Sequence, residues 1–360
     1  MPTKFKYIKS IFPGVILALI FCLFSQGINN LLAIEIFGTI KSPISTVLIA
    51  ILLGILMGNA FTPRPGMMIG LDFTQQYILK LGIIFLGIRL SFADFIKFGS
   101  IAIPLIIICI LGVLVLVKLL IKKVPISSKM SYLIAIGTSV CGATAIVATA
   151  PVINAKKSEV AYAIANITLF GVIAMLIYPY FAEWYFGNEA LNAGLFLGTS
   201  IHETSQVAAA GLIYDQQFNS PETLNVATVT KLIRNTFLVI LIPLFAFLYN
   251  RGELKGNNYS ILNIFPYFVL GFIGMIILRN LGDQFFAIGS NNHQIWIDLI
   301  GYLKTLATVF LTMAMAAVGI SINLSELKSM GYKPFIVGLI AAVTVGIISL
   351  IYIETLNKFI

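Results

Sequence analysis

Apolar runs of membrane-spanning length alternate along the chain with short stretches that hold most of its charges, prolines and glycines. Cutting the sequence at those stretches leaves eleven apolar segments, near residues 11–32, 45–60, 74–90, 99–118, 131–153, 159–182, 191–213, 226–249, 262–279, 299–321 and 332–353. Most approach the roughly 20 residues that a helix needs to cross about 30 Å of hydrocarbon. Two, 45–60 and 74–90, are short enough to require tilting, a break or a thinner bilayer. The pattern predicts an all-α polytopic membrane protein with about eleven transmembrane helices.

Composition agrees with a chain that lies almost entirely in the bilayer. Hydrophobic residues make up 59% of the 360 residues and charged residues only 10%, with a mean hydropathy of +0.99. A soluble domain carries about 25% charged residues. Every connection is short, so we expect one transmembrane domain over residues 1–360, beginning with a cytoplasmic tail at 1–10. Cys22, Cys109 and Cys141 lie in apolar segments without ligand spacing, which predicts neither a disulfide nor a metal site.

The net charge of +9 would suggest nucleic acid in a soluble protein, but here most basic residues lie in short loops and set the orientation, so nucleic acid is not an expected partner. A cytoplasmic amino terminus puts inside Lys4, Lys6, Lys9, Arg64, Lys118, Lys122, Lys123, Lys129, Arg251, Lys255, Lys328 and Lys333. The positive-inside rule therefore favours a cytoplasmic amino terminus and an exterior carboxyl terminus. Lys156 and Lys157 would face outward, against the trend. The basic start lacks a cleavage site, so the first span is expected to be retained.

Two related segments are polar where a membrane helix should be apolar. Residues 137–149 and 198–210 both begin with Gly-Thr-Ser. Irregular or polar backbone at membrane depth survives only where protein or a water-filled cavity surrounds it, so the pair predicts two discontinuous helices at a transporter site. The N-terminal end of a half-helix there would favour an anion. The candidate substrate-binding residues in these segments are Thr138, Ser139, Cys141, Thr144, Thr199 and Ser200. Close helix packing by small residues is the alternative, for Cys141 in particular.

A second similarity flanks the first. Residues 87–94, followed by Gly99, match residues 319–326, followed by Gly331, with identical spacing. These copies fall in the third and tenth spans, which run in opposite directions, as an inverted repeat requires. The pair Pro179/Phe181 and the pair Pro243/Phe245 extend the similarity of the Gly-Thr-Ser segments.

The two repeats do not fit a plain tandem duplication. The Gly-Thr-Ser copies are adjacent in the middle of the chain, whereas the copies at 87 and 319 lie on either side of them. A single span separates the Gly-Thr-Ser segments, so both would run the same way. Either one segment is re-entrant or the number of spans is not eleven.

Ionisable residues inside the apolar segments mark the candidate site further. His202 and Glu203 follow the second Gly-Thr-Ser, where a charge costs several kcal/mol unless it faces a cavity or a partner. They could couple transport to protons; a hydrogen-bonded structural pair is the alternative. Lys231 and Arg234 share one helix face with Asn235. They could balance an anionic substrate, or extend to the membrane surface.

Other polar residues in the spans are weaker candidates. Arg89 and Lys304 lie near helix ends, where extension to the interface explains them, while Lys80 is central to the short third span. Asn166 and Thr168 could line a cavity or form ordinary hydrogen bonds between helices.

These segments together resemble the YeiH-like family of bacterial inner-membrane proteins, whose family name proposes sulfate export. The likeness covers nearly the whole chain and lies in residues 82–94, 137–144, 159–179, 198–207 and 231–234. The resemblance implies a multi-pass protein of the inner membrane. A more distant similarity, to the superfamily of cation/proton antiporters and anion transporters, implies two discontinuous helices that cross near the midplane between inverted repeats. It also implies a homodimer. The resemblance to the YeiH-like family implies in addition a His-acidic pair in the second motif, matched here by His202 and Glu203.

The leading functional hypothesis is a secondary transporter that exports a small anion, such as sulfate or a sulfonate, by alternating access, coupled to protons or Na⁺. A cation/proton antiporter that exchanges at Glu203 is one alternative, and a passive channel or membrane regulator is another. No nucleophile–base set, phosphate loop or ATP-binding motif appears in the sequence, so neither an enzyme nor a cofactor is expected.

Overall fold

The computed structural model describes residues 4–36, 42, 44–61, 65–120, 126–249, 266–286, 292–323 and 332–358, which are helical apart from short turns and contain no strand in those ranges. The helices are α1 Lys4–Leu31, α2 Thr46–Ala60, α3 Pro65–Phe73, α4 Leu79–Leu86, α5 Phe92–Leu120, α6 Ser128–Ser139, α7 Ala143–Thr149, α8 Lys157–Phe186, α9 Ala190–Ser200, α10 Thr204–Phe218, α11 Pro221–Thr236, α12 Leu238–Tyr249, α13 Phe268–Phe285, α14 His293–Ser321 and α15 Tyr332–Asn357. One π-helical turn, Thr74–Ile78, joins α3 to α4, and another, Leu32–Ile36, extends α1.

The all-α polytopic prediction is confirmed. Within the described part of the chain, eight helical stretches are long and apolar enough to cross a membrane, and α2 is a shorter apolar helix. Large apolar side chains point outward from them. On α5, for example, Leu111, Val115 and Leu119 follow one another at helical spacing with 56–58% of their surface exposed. Such a stripe would be unfavourable in water and is suited to lipid.

The chain divides into two compact units. The first consists of residues 1–95, 212–221 and 268–326. Within it, α2 packs closely on α14: a Cβ added to Gly54 would lie 2.6 Å from the carbonyl oxygen of Ala316. Gly319 lies in α14 at the same contact, and Gly87 packs against Met275 of α13. The end of the motif copy that begins at Gly319, residues 324–331, lies outside the described residues.

The second unit consists of residues 96–211, 222–267 and 327–360, and it contains both Gly-Thr-Ser segments. The first segment folds back on itself. Its α6 ends at Ser139, Val140 to Gly142 form a turn, and α7 returns, so that Ile146 lies against Gly137. At the open end, Lys129 Nζ donates a hydrogen bond to the carbonyl of Asn154, at 2.7 Å. Helices α6 and α7 therefore form a hairpin, here called hairpin 1.

The second segment has the same form. Helix α9 runs parallel to α11, because Gly194 lies against Val226 and Gly198 against Thr230. Helix α10 runs the other way along α11. Its first residue, Thr204, accepts a hydrogen bond from Asn235 Nδ2 at 2.9 Å, and Gly211 lies against Leu224. Helices α9 and α10 are thus antiparallel and form hairpin 2, with its turn at residues 201–203.

The predicted breaks at the two Gly-Thr-Ser segments are therefore present, but each break reverses the chain instead of letting a helix continue. This differs from the prediction of eleven spans, which counted 131–153 and 191–213 as one span each, and from the crossing discontinuous helices that the resemblance implies. The reason is local: Gly142 has φ +67° and ψ −128°, a conformation open to glycine and strained for other residues, and it turns the chain between α6 and α7.

Candidate functional site

The turns of the two hairpins meet beside α11, and two basic side chains of that helix join them. Lys231 is fully buried, with 0% of its surface exposed. Its ammonium group donates hydrogen bonds to three backbone carbonyls, those of Val140 at 2.8 Å, Ile201 at 2.9 Å and His202. An ammonium group has three N–H donors, so all of them are used within the protein.

Arg234, one turn further along α11, is also fully buried and holds the residues just before each turn. Its Nε donates to the carbonyl of Ser139 at 2.7 Å, its Nη1 to that of Thr199 and its Nη2 to that of Thr138. These carbonyls belong to the last turns of α6 and α9, where helix carbonyls lack partners within the helix and the helix dipole is negative. The two cations therefore cap two helix C-terminal ends at once.

This arrangement decides between the two interpretations of Lys231 and Arg234. Extension to the membrane surface is wrong, because neither side chain reaches the surface of the protein. Their charge lies at the candidate site, as the other interpretation requires. Their hydrogen bonds, however, go to the hairpins, so they stabilise the site before any substrate binds.

The second turn also contacts the first through Glu203. Its Oε1 accepts a hydrogen bond from the backbone N–H of Ala143, at 3.4 Å, across the two turns. The side chain fits there because Gly142 has no Cβ: one would lie 3.0 Å from the same oxygen. Thus Glu203 belongs to the structure that holds the hairpins together as well as to the candidate site.

Gln206 has a structural role at the second turn that was not predicted from the sequence. Its side-chain oxygen accepts a hydrogen bond from the backbone N–H of Glu203 at 3.1 Å, and its Nε2 donates to the carbonyl of Thr168 in α8 at 3.4 Å. This links the second turn to the middle of α8, where Gly171 leaves room for the side chain. A polar residue within an apolar stretch was the available signal.

Four buried polar side chains around the turns have no hydrogen-bond partner among the described residues. The atoms are Thr138 Oγ1, Ser139 Oγ, Ser200 Oγ and both ring nitrogens of His202. Each of these residues is at most 1% exposed. Buried polar groups are ordinarily paired, so a cluster of unpaired ones is a candidate binding site for a polar ligand.

The remaining candidates divide between structural and peripheral positions. Thr199 is structural: its hydroxyl bonds the carbonyl of Leu195 and the hydroxyl of Ser349, each at 2.7 Å. Cys141 is half-buried in the first turn, and Thr144 has an exposed side chain in α7. Asn166 is buried beside Gly338 of α15.

The basic residues of the first unit lie elsewhere. Arg89 does not simply extend to the interface, because it forms an ion pair with Asp215 at 2.9 Å. Lys80 is exposed beside the ring of Tyr77, and Lys304 is partly buried. No group of His, Cys, Asp or Glu within the described ranges could hold a metal ion.

The fold and the site define a multi-pass membrane protein with a polar centre built from two hairpins. A family profile described as "Conserved hypothetical protein 698" matches residues 13–338. The chain is 34% identical to a UPF0324 membrane protein of Fusobacterium nucleatum over 322 residues, 88% of this chain and 91% of the relative. It is 35% identical to one of Streptococcus agalactiae over 299 residues, 83% and 86% of the two chains. It is 34% identical to the inner membrane protein YeiH of Escherichia coli K12 over 307 residues, 82% and 81%.

The chain therefore belongs to the UPF0324 family of membrane proteins. This confirms the resemblance seen in the motifs. The predicted membrane location is confirmed too: membrane-length apolar helices agree with relatives that are membrane proteins, and YeiH is an inner membrane protein.

Proposed function

We propose that this protein is a secondary transporter that moves a small anion, such as sulfate or a sulfonate, across the membrane by alternating access. The observation that carries the proposal is the charge at the hairpin turns. Two fully buried cations, Lys231 and Arg234, are accompanied there by one carboxylate, Glu203. A buried excess of positive charge is costly unless an opposite charge approaches it, and a bound anion would supply one.

The unpaired hydroxyl groups support the same ligand class. Thr138, Ser139 and Ser200 can each donate an O–H, and they lie within one residue of carbonyls that the two cations bind. Sulfate and sulfonate oxygens accept such bonds without needing a proton of their own. The imidazole of His202 can donate or accept a hydrogen bond. It could therefore bind an anion that carries a proton, or take part in proton coupling.

A Na⁺ site built from the turn carbonyls is less well supported. Backbone carbonyls of interrupted helices coordinate Na⁺ in other transporters. Here Lys231 and Arg234 already bind those of residues 138–140, 199, 201 and 202. Protons are therefore the preferred coupling ion, with Glu203 and His202 as the groups that would carry them. A homodimer stays a prediction from the resemblance.

The test is an electrogenic-current measurement on purified protein in proteoliposomes, with sulfate, sulfonates, bicarbonate and dicarboxylates at two pH values. The double variant Ser139→Ala/Ser200→Ala removes two donors without touching the hydrogen bonds of Lys231 or Arg234. Since a hydrogen bond to a charged group contributes about 1.5–3 kcal/mol, we expect at least a tenfold rise in KM for the transported anion. Ser100→Ala, at an exposed serine of α5, is the matched control.

Three other outcomes would contradict the proposal. A saturable Na⁺- or K⁺-dependent flux that ignores the anion would indicate a cation/proton antiporter acting through Glu203. Current that does not saturate would indicate a channel. Where no current appears, counterflow of radiolabelled anions tests electroneutral exchange, and its absence for every anion would leave a regulator without transport as the function.

A further inference from the structure

Each hairpin begins and ends beside one end of a long neighbouring helix, and this fixes where it enters the membrane. Hairpin 1 starts at the amino end of α8, because Ser127, the residue before α6, donates a hydrogen bond to Glu159 in the first turn of α8. Its exit, at Asn154, lies beside Lys129 at the same end. Its turn reaches only the middle of α8, where Gly137 lies against Ile167.

Hairpin 2 starts at the opposite end of α8. Helix α9 follows α8 after three residues and returns along it, so that the ring of Phe196 lies 5.1 Å from that of Tyr178. The second turn reaches the middle of α8 from this side, through the hydrogen bond from Gln206 to Thr168. At 30 residues, α8 is long enough to cross the bilayer. The two ends of α8 therefore mark the two membrane faces.

We infer that the two Gly-Thr-Ser segments are re-entrant hairpins that enter the membrane from opposite faces, with their turns meeting near its midplane at one binding site. Hairpin 1 opens to the cytoplasm and hairpin 2 to the exterior. Neither hairpin crosses the membrane in this arrangement. Within the described ranges this leaves nine crossings, made by α1, α2, α3–α4, α5, α8, α11–α12, α13, α14 and α15.

This topology resolves the two inconsistencies of the eleven-span prediction, namely the outward position of Lys156 and Lys157 and the shared direction of the two Gly-Thr-Ser segments. With an internal amino terminus, Lys156 and Lys157 now lie between hairpin 1 and α8 on the cytoplasmic side, together with the other basic loops. The hairpins no longer run in the same direction, because they enter from opposite faces. The prediction of an exterior carboxyl terminus is unchanged.

The same topology divides the helices and hairpins into two equivalent blocks, one for each copy of the repeat. The first block consists of α2, α3–α4, α5, hairpin 1 and α8. The second consists of α13, α14, α15, hairpin 2 and α11–α12, in which the last two elements precede the first three along the chain. The motif copies at Gly87 and Gly319 then occupy equivalent positions, at the ends of α4 and α14. Pro179 of α8 and Pro243 of α12 do so as well. Every paired span runs in opposite directions across the membrane, so the chain is an inverted repeat with a circular permutation.

The inference rests on the membrane location of the chain and on the predicted cytoplasmic amino terminus. It does not depend on which ligand binds at the turns, so it is tested separately from the anion proposal. Four single cysteines test it in full-length protein whose natural cysteines have been replaced: Ser128→Cys and Ser158→Cys, on either side of hairpin 1, and Asn188→Cys and Glu222→Cys, on either side of hairpin 2. All four positions are exposed. Each variant is labelled with a membrane-impermeant maleimide in intact and in permeabilised cells.

We expect both members of the first pair to label only after permeabilisation and both members of the second pair to label in intact cells. If the two members of either pair label from different faces, that segment crosses the membrane and the inference is overturned. It also fails if all four label from one face. Lys157→Cys and Pro221→Cys repeat the measurement at neighbouring exposed positions, so that one poorly produced variant does not decide the result.

Discussion

The turns of the two hairpins have the same backbone plan and different chemistry. In each, a helix with Gly-Thr-Ser near its end stops, and its last carbonyls accept hydrogen bonds from Lys231 or Arg234. Hairpin 1 then places the small residues Val140 to Gly142 at its turn, whereas hairpin 2 places Ile201, His202 and Glu203 there. The small turn leaves the space that the ionisable one fills, because the Glu203 side chain lies against Gly142.

The helices that follow the hairpins differ in the same way. Aligning Pro179 with Pro243 pairs Lys231 with Ile167 and places Phe170 opposite Arg234. One copy thus supplies apolar packing at this level, while the other supplies both cations for both turns. One basic helix is therefore enough to cap the two helix ends that face it, so two hairpins of the same backbone plan can share one asymmetric pair of cations.

The largest expected effect comes from removing a cation that joins the turns. Lys231→Met keeps most of the length of the side chain but leaves three buried carbonyls without a donor. We expect the free energy of unfolding to fall by about 3–5 kcal/mol, as for other broken buried charge interactions. Denaturation in mixed detergent micelles measures it.

Lys80→Met is the control for that variant, because Lys80 is exposed on α4. It should change the free energy of unfolding by less than about 0.5 kcal/mol. Equal stability of the two variants would mean that the turns do not depend on Lys231. The difference between basic α11 and apolar α8 at this level would then not contribute to stability.

An intermediate effect is expected at Gly142, the residue that gives hairpin 1 its small turn. In Gly142→Ala the new methyl group meets the Glu203 side chain, and the backbone at φ +67° becomes strained. Strain of this kind costs about 1–3 kcal/mol. Thermal unfolding should show this loss of stability. Gly274→Ala is the control: Gly274 lies in α13 with nothing within 4 Å of an added Cβ, so the substitution should be neutral or slightly stabilising. A wild-type melting temperature for Gly142→Ala would show that the turns do not fit together as described.

Much of this site could be predicted from the sequence because its signals are local. An apolar run predicts a spanning helix wherever it occurs, and Gly-Thr-Ser in such a run indicates an interruption. A basic pair such as Lys231 and Arg234 inside a span likewise indicates a functional or structural site. Those predictions located both hairpins and the helix that holds them.

The direction of the chain after each interruption is not a local property. Whether α7 continues from α6 or folds back along it depends on Gly142, on Ile146 against Gly137, and on the loop that brings Asn154 to Lys129. The partners of the cations were unpredictable for a related reason. Backbone carbonyls carry no sequence signature, so the expectation of a charged partner overlooked six neutral acceptors.

The smallest effect separates two equivalent threonines, Thr138 and Thr199. The hydroxyl of Thr199 bonds Ser349 and Leu195, whereas that of Thr138 has no partner among the described residues. Valine has nearly the same shape, so Thr199→Val should lower the free energy of unfolding by about 0.5–1.5 kcal/mol and Thr138→Val by almost nothing.

Under the proposed function the order reverses for transport, because only the free hydroxyl can reach a substrate. We expect Thr138→Val to raise KM severalfold and Thr199→Val to leave it within about twofold. Equal costs in stability would place Thr138 in an undetected structural bond and remove it from the binding site.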